Sequence, residues 1–145
     1  MILTYSVIML IVLALTANAF HISPAKNADL LLITILLLSS VITCTLLTLK
    51  FGLLNAALTA PILDFSLAVW IYHMWLKQRQ QWKLIVIGGL ISQLTLHADV
   101  IVMWKDGILT PELLSLYVTE INLILCIVLA TLGGVGLINS IGKHE

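Results

Sequence analysis

Residues 30–49 read LLLITILLLSSVITCTLLTL, twenty consecutive positions without one charged side chain. About 20 predominantly apolar residues cross the roughly 30 Å of hydrocarbon in a bilayer when they form an α-helix. Backbone N–H and C=O groups that face lipid have no water to bind, and a helix pairs all of them within one segment. The stretch is therefore predicted to be a transmembrane helix.

Four further apolar runs of similar length predict four more spans, at residues 2–20, 53–76, 84–104 and 112–138. Strands of a membrane barrel would alternate apolar and polar residues, and these runs do not. The fold class predicted is thus all-α, a polytopic transmembrane helical bundle of about five spans with short loops. The break at residues 50–52 is short, so four spans remain an alternative.

The composition agrees with a membrane environment. Of the 145 residues, 61% are hydrophobic and 10% are charged, against about 45–50% and about 25% in average soluble domains. The short loops leave no room for a separate soluble domain, so residues 1–145 are predicted to form a single integral membrane domain. The formal net charge is zero, which gives no basic face for nucleic acid. The lipid bilayer is the first predicted partner.

The first run requires a separate decision, because its end at Ala17, Asn18 and Ala19 resembles the small-residue cleavage site of a signal peptide. A signal peptide begins with basic residues, whereas the first basic residue here is Lys26. We therefore predict that this run is a retained helix.

The breaks between the runs contain residues that begin helices. Thr110, Pro111 and Glu112 are typical of an N-cap, a first helical position and an acid that interacts well with the helix dipole. Asn27 or Asp29 is predicted to cap the second helix.

Positive charges predict the orientation, since cytoplasmic loops are enriched in lysine and arginine. Five basic residues fall on one side of a five-span arrangement, namely Lys26, Lys77, Arg79, Lys83 and Lys143. Only Lys50 and Lys105 fall on the other side. The N-terminus is therefore predicted to lie outside and the C-terminus in the cytoplasm.

Four ionisable side chains lie inside the predicted spans: Asp64, His97, Asp99 and Glu120. Such groups are costly in hydrocarbon and usually face protein or water, so each is a candidate for an ion or proton site or for a polar contact between helices. Asp64, His97 and Glu120 are predicted to lie at similar depth, about two turns from the outer end of their helices. His97 and Asp99 are two positions apart and face different sides of one helix.

Helical periodicity places some of these residues on faces suited to close packing. Gly88, Ser92, Thr95 and Asp99 form one stripe of small and polar residues, and Asn122 and Gly133 belong to another on the last helix. Small residues let membrane helices approach closely, so both stripes are predicted to contact a neighbouring helix. Asp64 lies on a stripe with Ala57, Ala60, Ala68 and Ile71, whereas Glu120 lies off the stripe of its own helix. The last helix therefore has two faces that favour protein contact, which predicts another membrane subunit or a homo-oligomer.

Three chemical interpretations of the polar residues remain. They could hold helices together, bind an ion or a proton, or hold a metal, for which His97, Asp64 and Glu120 are the weak candidates. A haem is a further option, since His21 and His73 fall near the same side of the membrane. No catalytic, nucleotide-binding or CxxC motif occurs, and no cofactor is specified.

The layout resembles that of small multi-span subunits of membrane complexes and that of small transporters with one critical acid. The first functional hypothesis is a non-enzymatic subunit of a larger membrane complex that packs through its small-residue faces. The alternative is an ion- or proton-coupled transport module that uses the intramembrane acids. A redox subunit holding a metal or haem is the second alternative.

Overall fold

The computed structural model describes the backbone of residues 2–142 and the side chains of residues 6–142. In this part of the chain the fold consists of five α-helices without a strand, which confirms the predicted all-α class. The helices are α1 (Ile2–Ile22), α2 (Pro24–Phe51), α3 (Leu53–Lys77), α4 (Gln81–Lys105) and α5 (Pro111–Ile141). Lys143, which contributed to the predicted orientation, lies outside the described residues.

Four of these helices, α2 to α5, are long and apolar enough to cross a membrane. The described apolar part of α1, Ser6–Ile22, is shorter than such a span. Large apolar side chains cover the outside of the bundle; Leu46, Ile62 and Leu123 are each at least 60% exposed. An exterior of this kind is compatible with lipid and not with water.

The helices pack in a ring. α1 lies against α2 and α5, α2 lies against α3, α3 against α4, and α4 against α5. α2 and α5 contact each other only slightly. Fully buried aliphatic residues from four helices form the centre of the core; they include Ile33, Ile71, Leu90, Leu129 and Leu132.

Asn27 connects three helices where α1 passes into α2. Its side-chain amide donates hydrogen bonds to the backbone oxygens of Ala19 (2.9 Å) and Ser23 (3.1 Å). Its side-chain oxygen accepts a bond of 2.7 Å from the Asn139 amide of α5. The prediction that Asn27 or Asp29 caps α2 is wrong, because Pro24 begins the helix six residues before the predicted start at position 30 and Ser23 occupies the N-cap position.

Lys83 and Asp29 form an ion pair that joins α4 to α2 at the same end of the bundle. The lysine is completely buried, whereas the aspartate side chain is 26% exposed. We call this end the basic end, because the described residues Lys26, Lys77 and Arg79 also lie there, near the α1–α2 and α3–α4 connections. Asp29 balances the charge of Lys83, so fewer positive charges face solvent here than the sequence indicates.

The opposite end contains the other two connections. Gly52 separates α2 from α3 with a φ of 88°, a left-handed conformation that favours glycine. The short predicted break therefore does divide two helices. At the start of α5, the Thr110 hydroxyl accepts a hydrogen bond of 3.3 Å from the Leu113 N–H, and Pro111 is the first helical residue. The predicted cap of the last helix is confirmed.

α1 packs closely against α5 at two glycines. A Cβ atom built on Gly133 would lie 3.3 Å from the Val12 side chain, and one built on Gly136 would lie 3.1 Å from the backbone of Leu15 and Thr16. Thr16 is completely buried in this contact. The predicted role of Gly133 in helix packing is therefore found, and Gly136 makes the closer backbone approach.

Candidate intramembrane binding site

A chain of hydrogen-bonded side chains connects α3, α4 and α5 inside the bundle. The Nε2 atom of His97 lies 3.0 Å from an oxygen of Asp64, and its Nδ1 atom lies 2.6 Å from the hydroxyl of Tyr117. All three residues are buried, with exposures of 4%, 6% and 7% for His97, Asp64 and Tyr117. Both ring nitrogens of the histidine are thus occupied by partners from other helices.

Helical spacing explains why these side chains meet. Asp64 lies on the predicted face of α3, and all the other residues of that face are indeed buried: Ala57, Ala60, Ala68 and Ile71. The alanines allow α4 to approach closely. On α4, Gln93, His97 and Val100 are buried at intervals of four and three residues, so one face presents the histidine to α3 and α5.

An apolar cavity of about 320 Å³ lies next to this chain, between α2, α3, α4 and α5. Its wall is mostly aliphatic, and its polar contributors are Ser40, Cys44, Thr45, Thr48, Asp64, Gln93, His97, Tyr117 and Asn122. Gln93, which is only 8% exposed, places an amide at the cavity wall, and an amide can both donate and accept hydrogen bonds.

The exposed lining residues show where the cavity opens. Thr45 and Leu49 of α2 line it and are exposed, whereas the α3 residues Ala56, Ala57 and Ala60 that line it are buried. α2 and α5 touch only slightly, so the opening lies beside α2, in the half of the bundle away from the basic end. A molecule dissolved in that half of the bilayer could enter sideways.

The structure unites two of the four predicted ionisable residues and separates the other two. Asp64 and His97 are in contact, whereas Asp99 and Glu120 are exposed on the outside of α4 and α5. The predicted metal set of His97, Asp64 and Glu120 is not assembled, because Glu120 faces away from the other two. Among the described residues no three His, Cys, Asp or Glu side chains converge as metal ligands would. The two histidines considered for haem, His21 and His73, are both exposed.

The predicted packing stripe of α4 lies on the exposed side of the helix in the part of the chain that the structure describes. Gly88, Ser92 and Thr95 are exposed together with Asp99. The close approach between α4 and α5 occurs one residue later, at Gly89, where an added Cβ would collide with Val128. The stripe was predicted from small residues alone. The face of α4 that is buried in the core instead carries larger apolar side chains. Asn122, predicted to pack on α5, lines the cavity.

Tyr117 was missed in the sequence, because only groups expected to carry charge in the membrane were considered. A usable signal was present. Tyr117 lies eight and eleven residues before Leu125 and Val128, which are buried on the same side of α5. A tyrosine on the buried face of a span requires a hydrogen-bond partner, and that requirement could have drawn attention to it.

No protein-family model matches the chain, and comparison with curated proteins and with solved structures found no match either. The class of protein defined by the helices and their exterior is a multi-pass helical membrane protein. Its function must be argued from the cavity and its polar wall.

Proposed function

We propose that the protein binds a small amphipathic molecule within the membrane, in the cavity between α2, α3, α4 and α5. The observation that carries this proposal is the position of the Asp64–His97–Tyr117 chain at the wall of a mostly apolar cavity. Small-molecule sites are typically cavities of about 300–1,000 Å³ with apolar walls and a few convergent polar groups. The cavity and its lining have both properties.

The polar wall gives such a site a means of responding to protons. Asp64 and His97 share a hydrogen bond in a buried place, and a proton added to or removed from this pair changes its net charge. The proposal is therefore nearest to the transport alternative, a module in which an intramembrane acid couples binding to protonation. It places Asp64 in the coupling pair and leaves Asp99 and Glu120 outside it.

Filling the cavity is expected to abolish binding. The probe is 4-fluoro-α-methylstyrene, a ring-sized apolar molecule, followed by ¹⁹F NMR with the protein in lipid nanodiscs. We expect a protein-bound resonance in the native chain and its loss in Cys44→Phe, because Cys44 lines the cavity. Leu46→Phe on the same helix is the matched control, since Leu46 is 60% exposed and faces outward. The absence of a bound resonance in the native protein, or its persistence in Cys44→Phe, would refute the proposal.

The exposed face of α4 and α5 supports a second function, membership of a larger assembly. Asp99 and Glu120 are exposed at membrane depth, where an acid facing lipid is costly. The small residues Ser92 and Thr95 lie on the same side of α4 as Asp99. We propose that this face contacts another membrane-protein helix, which would shield the acids from hydrocarbon.

A bulky residue on this face is expected to disrupt the assembly. Light scattering on detergent-solubilised protein should give the native chain a mass above that of one copy, or a co-purifying partner, and Thr95→Phe should return it to a single chain. Ile62→Phe is the control, because Ile62 is 69% exposed on α3. A native protein that is a lone monomer at every concentration would contradict the assembly.

The basic end is proposed to face the cytoplasm. Lys26, Lys77 and Arg79 support this orientation, against Lys50 and Lys105 at the opposite end. The cavity would then open toward the outer half of the bilayer.

A further inference from the structure

The two hydrogen bonds of His97 are coupled through the protons of its ring. A neutral imidazole has one N–H, so one ring nitrogen donates and the other accepts. The Nε2 atom faces Asp64 and the Nδ1 atom faces the Tyr117 hydroxyl. The location of protons on the Asp64–His97 pair therefore determines whether the tyrosine hydroxyl donates or accepts the hydrogen bond with Nδ1.

Without an additional proton, Asp64 is an ionised carboxylate and accepts a hydrogen bond from the Nε2–H of neutral His97. The Nδ1 atom then has no hydrogen, and the Tyr117 hydroxyl donates to it. In this state the only hydroxyl proton of the tyrosine is committed to the histidine, and the pair has a net charge of −1.

With one additional proton the direction of the second bond reverses. The proton resides either on the histidine, which then donates from both nitrogens, or on Asp64, which then donates to Nε2 while the ring carries its hydrogen on Nδ1. In both arrangements Nδ1–H donates to the oxygen of Tyr117, and the hydroxyl proton becomes free to bind another acceptor. The pair is then neutral overall.

The charges around the pair bear on which of the two states forms. The titratable groups that line the cavity beside the pair are Tyr117 of α5 and Cys44 of α2, neither of which supplies a positive charge, and no described side chain of α1 (residues 6–22) lies in the cavity wall. Lysines of the described chain lie at the helix ends, and a net negative charge in an apolar interior is costly. Tyr117 itself lines the cavity, so the freed hydroxyl can donate into it.

We infer that the Tyr117 hydroxyl donates a hydrogen bond to the ligand, and that a proton on the Asp64–His97 pair makes this donor available. The inference rests on the proposed binding function and specifies the ligand class: a neutral amphipathic molecule with an acceptor oxygen, such as a carbonyl compound. Binding of such a molecule is accompanied by retention of one proton on the pair. The amide of Gln93 is a second donor group on the same wall.

Two probes of nearly equal shape test the inference. 4′-Fluoroacetophenone carries a carbonyl group where 4-fluoro-α-methylstyrene carries a methylidene group, so only the ketone accepts a hydrogen bond. ¹⁹F NMR in nanodiscs, corrected for partition into empty nanodiscs, should show that the native protein prefers the ketone about tenfold. Tyr117→Phe should remove this preference and retain binding of the alkene.

The native protein provides a test that does not depend on the folding of a variant. If a proton on the pair frees the hydroxyl, the preference for the ketone should fall as the pH is raised, while alkene binding stays constant. A preference that is independent of pH, or that survives in Tyr117→Phe and is lost in Gln93→Leu, would overturn the inference and leave the binding site itself intact. Failure of both probes to bind would instead refute the proposed function and the inference together.

Discussion

Asp64→Leu is expected to lower the free energy of unfolding by about 3 kcal/mol, because it leaves the Nε2 atom of buried His97 without a partner. Removing one member of a buried polar pair costs the desolvation of the other, about 1–3 kcal/mol for a neutral group and about 3–5 kcal/mol for a charged one. Unfolding in mixed detergent micelles, followed by tryptophan fluorescence, measures the loss.

Asp99→Leu is the matched control, since it makes the same chemical change at a carboxyl group exposed on the outside of α4. We expect this variant to be no less stable than the native chain when it is measured as a single copy. Equal destabilisation by both substitutions would contradict the structural distinction between the two aspartates.

A double substitution distinguishes the cost of leaving His97 without a partner from the contribution of the Asp64–His97 pair to stability. Asp64→Leu combined with His97→Leu removes both polar groups, and apolar replacements of a whole buried pair are often neutral or stabilising. We expect the double variant to recover part of the stability lost in Asp64→Leu and to lose the pH dependence of ketone binding. Stability would thus recover in part while the pH dependence stays lost, as expected for a polar group retained for binding.

Gly136→Leu is expected to displace α1 from the bundle. A Cβ atom at this position would lie 3.1–3.2 Å from backbone atoms of Leu15 and Thr16. Backbone atoms within a helix cannot move aside individually, so the two helices must separate. Overpacking a close contact typically costs about 1–3 kcal/mol, and we expect the upper end here, about 3 kcal/mol, because a whole helix must move. Thermal unfolding in detergent, monitored by circular dichroism, should show a lower Tm.

Gly134→Leu tests whether this effect arises from the contact or from the loss of glycine. Gly134 lies two residues away on the same helix, and an added Cβ would meet nothing within 4 Å. Leucine has a higher helix propensity than glycine by about 0.8–1 kcal/mol in water, so this variant should be as stable as the native chain or more stable. A similar fall in Tm for both variants would show that α1 does not approach α5 as described.

The sequence predicted much of the fold because the membrane restricts what an apolar chain can form. Runs of about 20 apolar residues predict helices whatever their partners are. The five runs correspond to five helices, and the short break at residues 50–52, which left four spans open, does divide two of them. The boundary at Thr110 was predicted from local backbone chemistry. The start of α2 was missed by six residues, because Pro24 and Ser23 begin the helix before the apolar run does.

Two of the three residues in the Asp64–His97–Tyr117 chain were candidates from the sequence, and helical periodicity indicated the faces on which they lie. Asp64 was placed correctly on the buried alanine face of α3, and His97 was placed on the side of α4 that carries Gln93. The same method grouped Gly88, Ser92 and Thr95 on one face of α4, and these residues are exposed in the described chain. A periodic pattern shows which residues share a face, and it does not show which of two faces meets the rest of the chain.

The sequence alone determined that lipid is the solvent and that the secondary structure is helical. Both depend on local composition and on backbone groups that must pair within each segment. The tertiary structure decided which polar residues meet. It brought Tyr117 to a histidine 20 positions earlier in the chain, left Asp99 and Glu120 on the exterior, and enclosed a cavity between four helices. These outcomes depend on the rotation and tilt of each helix relative to its neighbours. The packing energy that sets them is summed over the whole bundle, so no single span determines it.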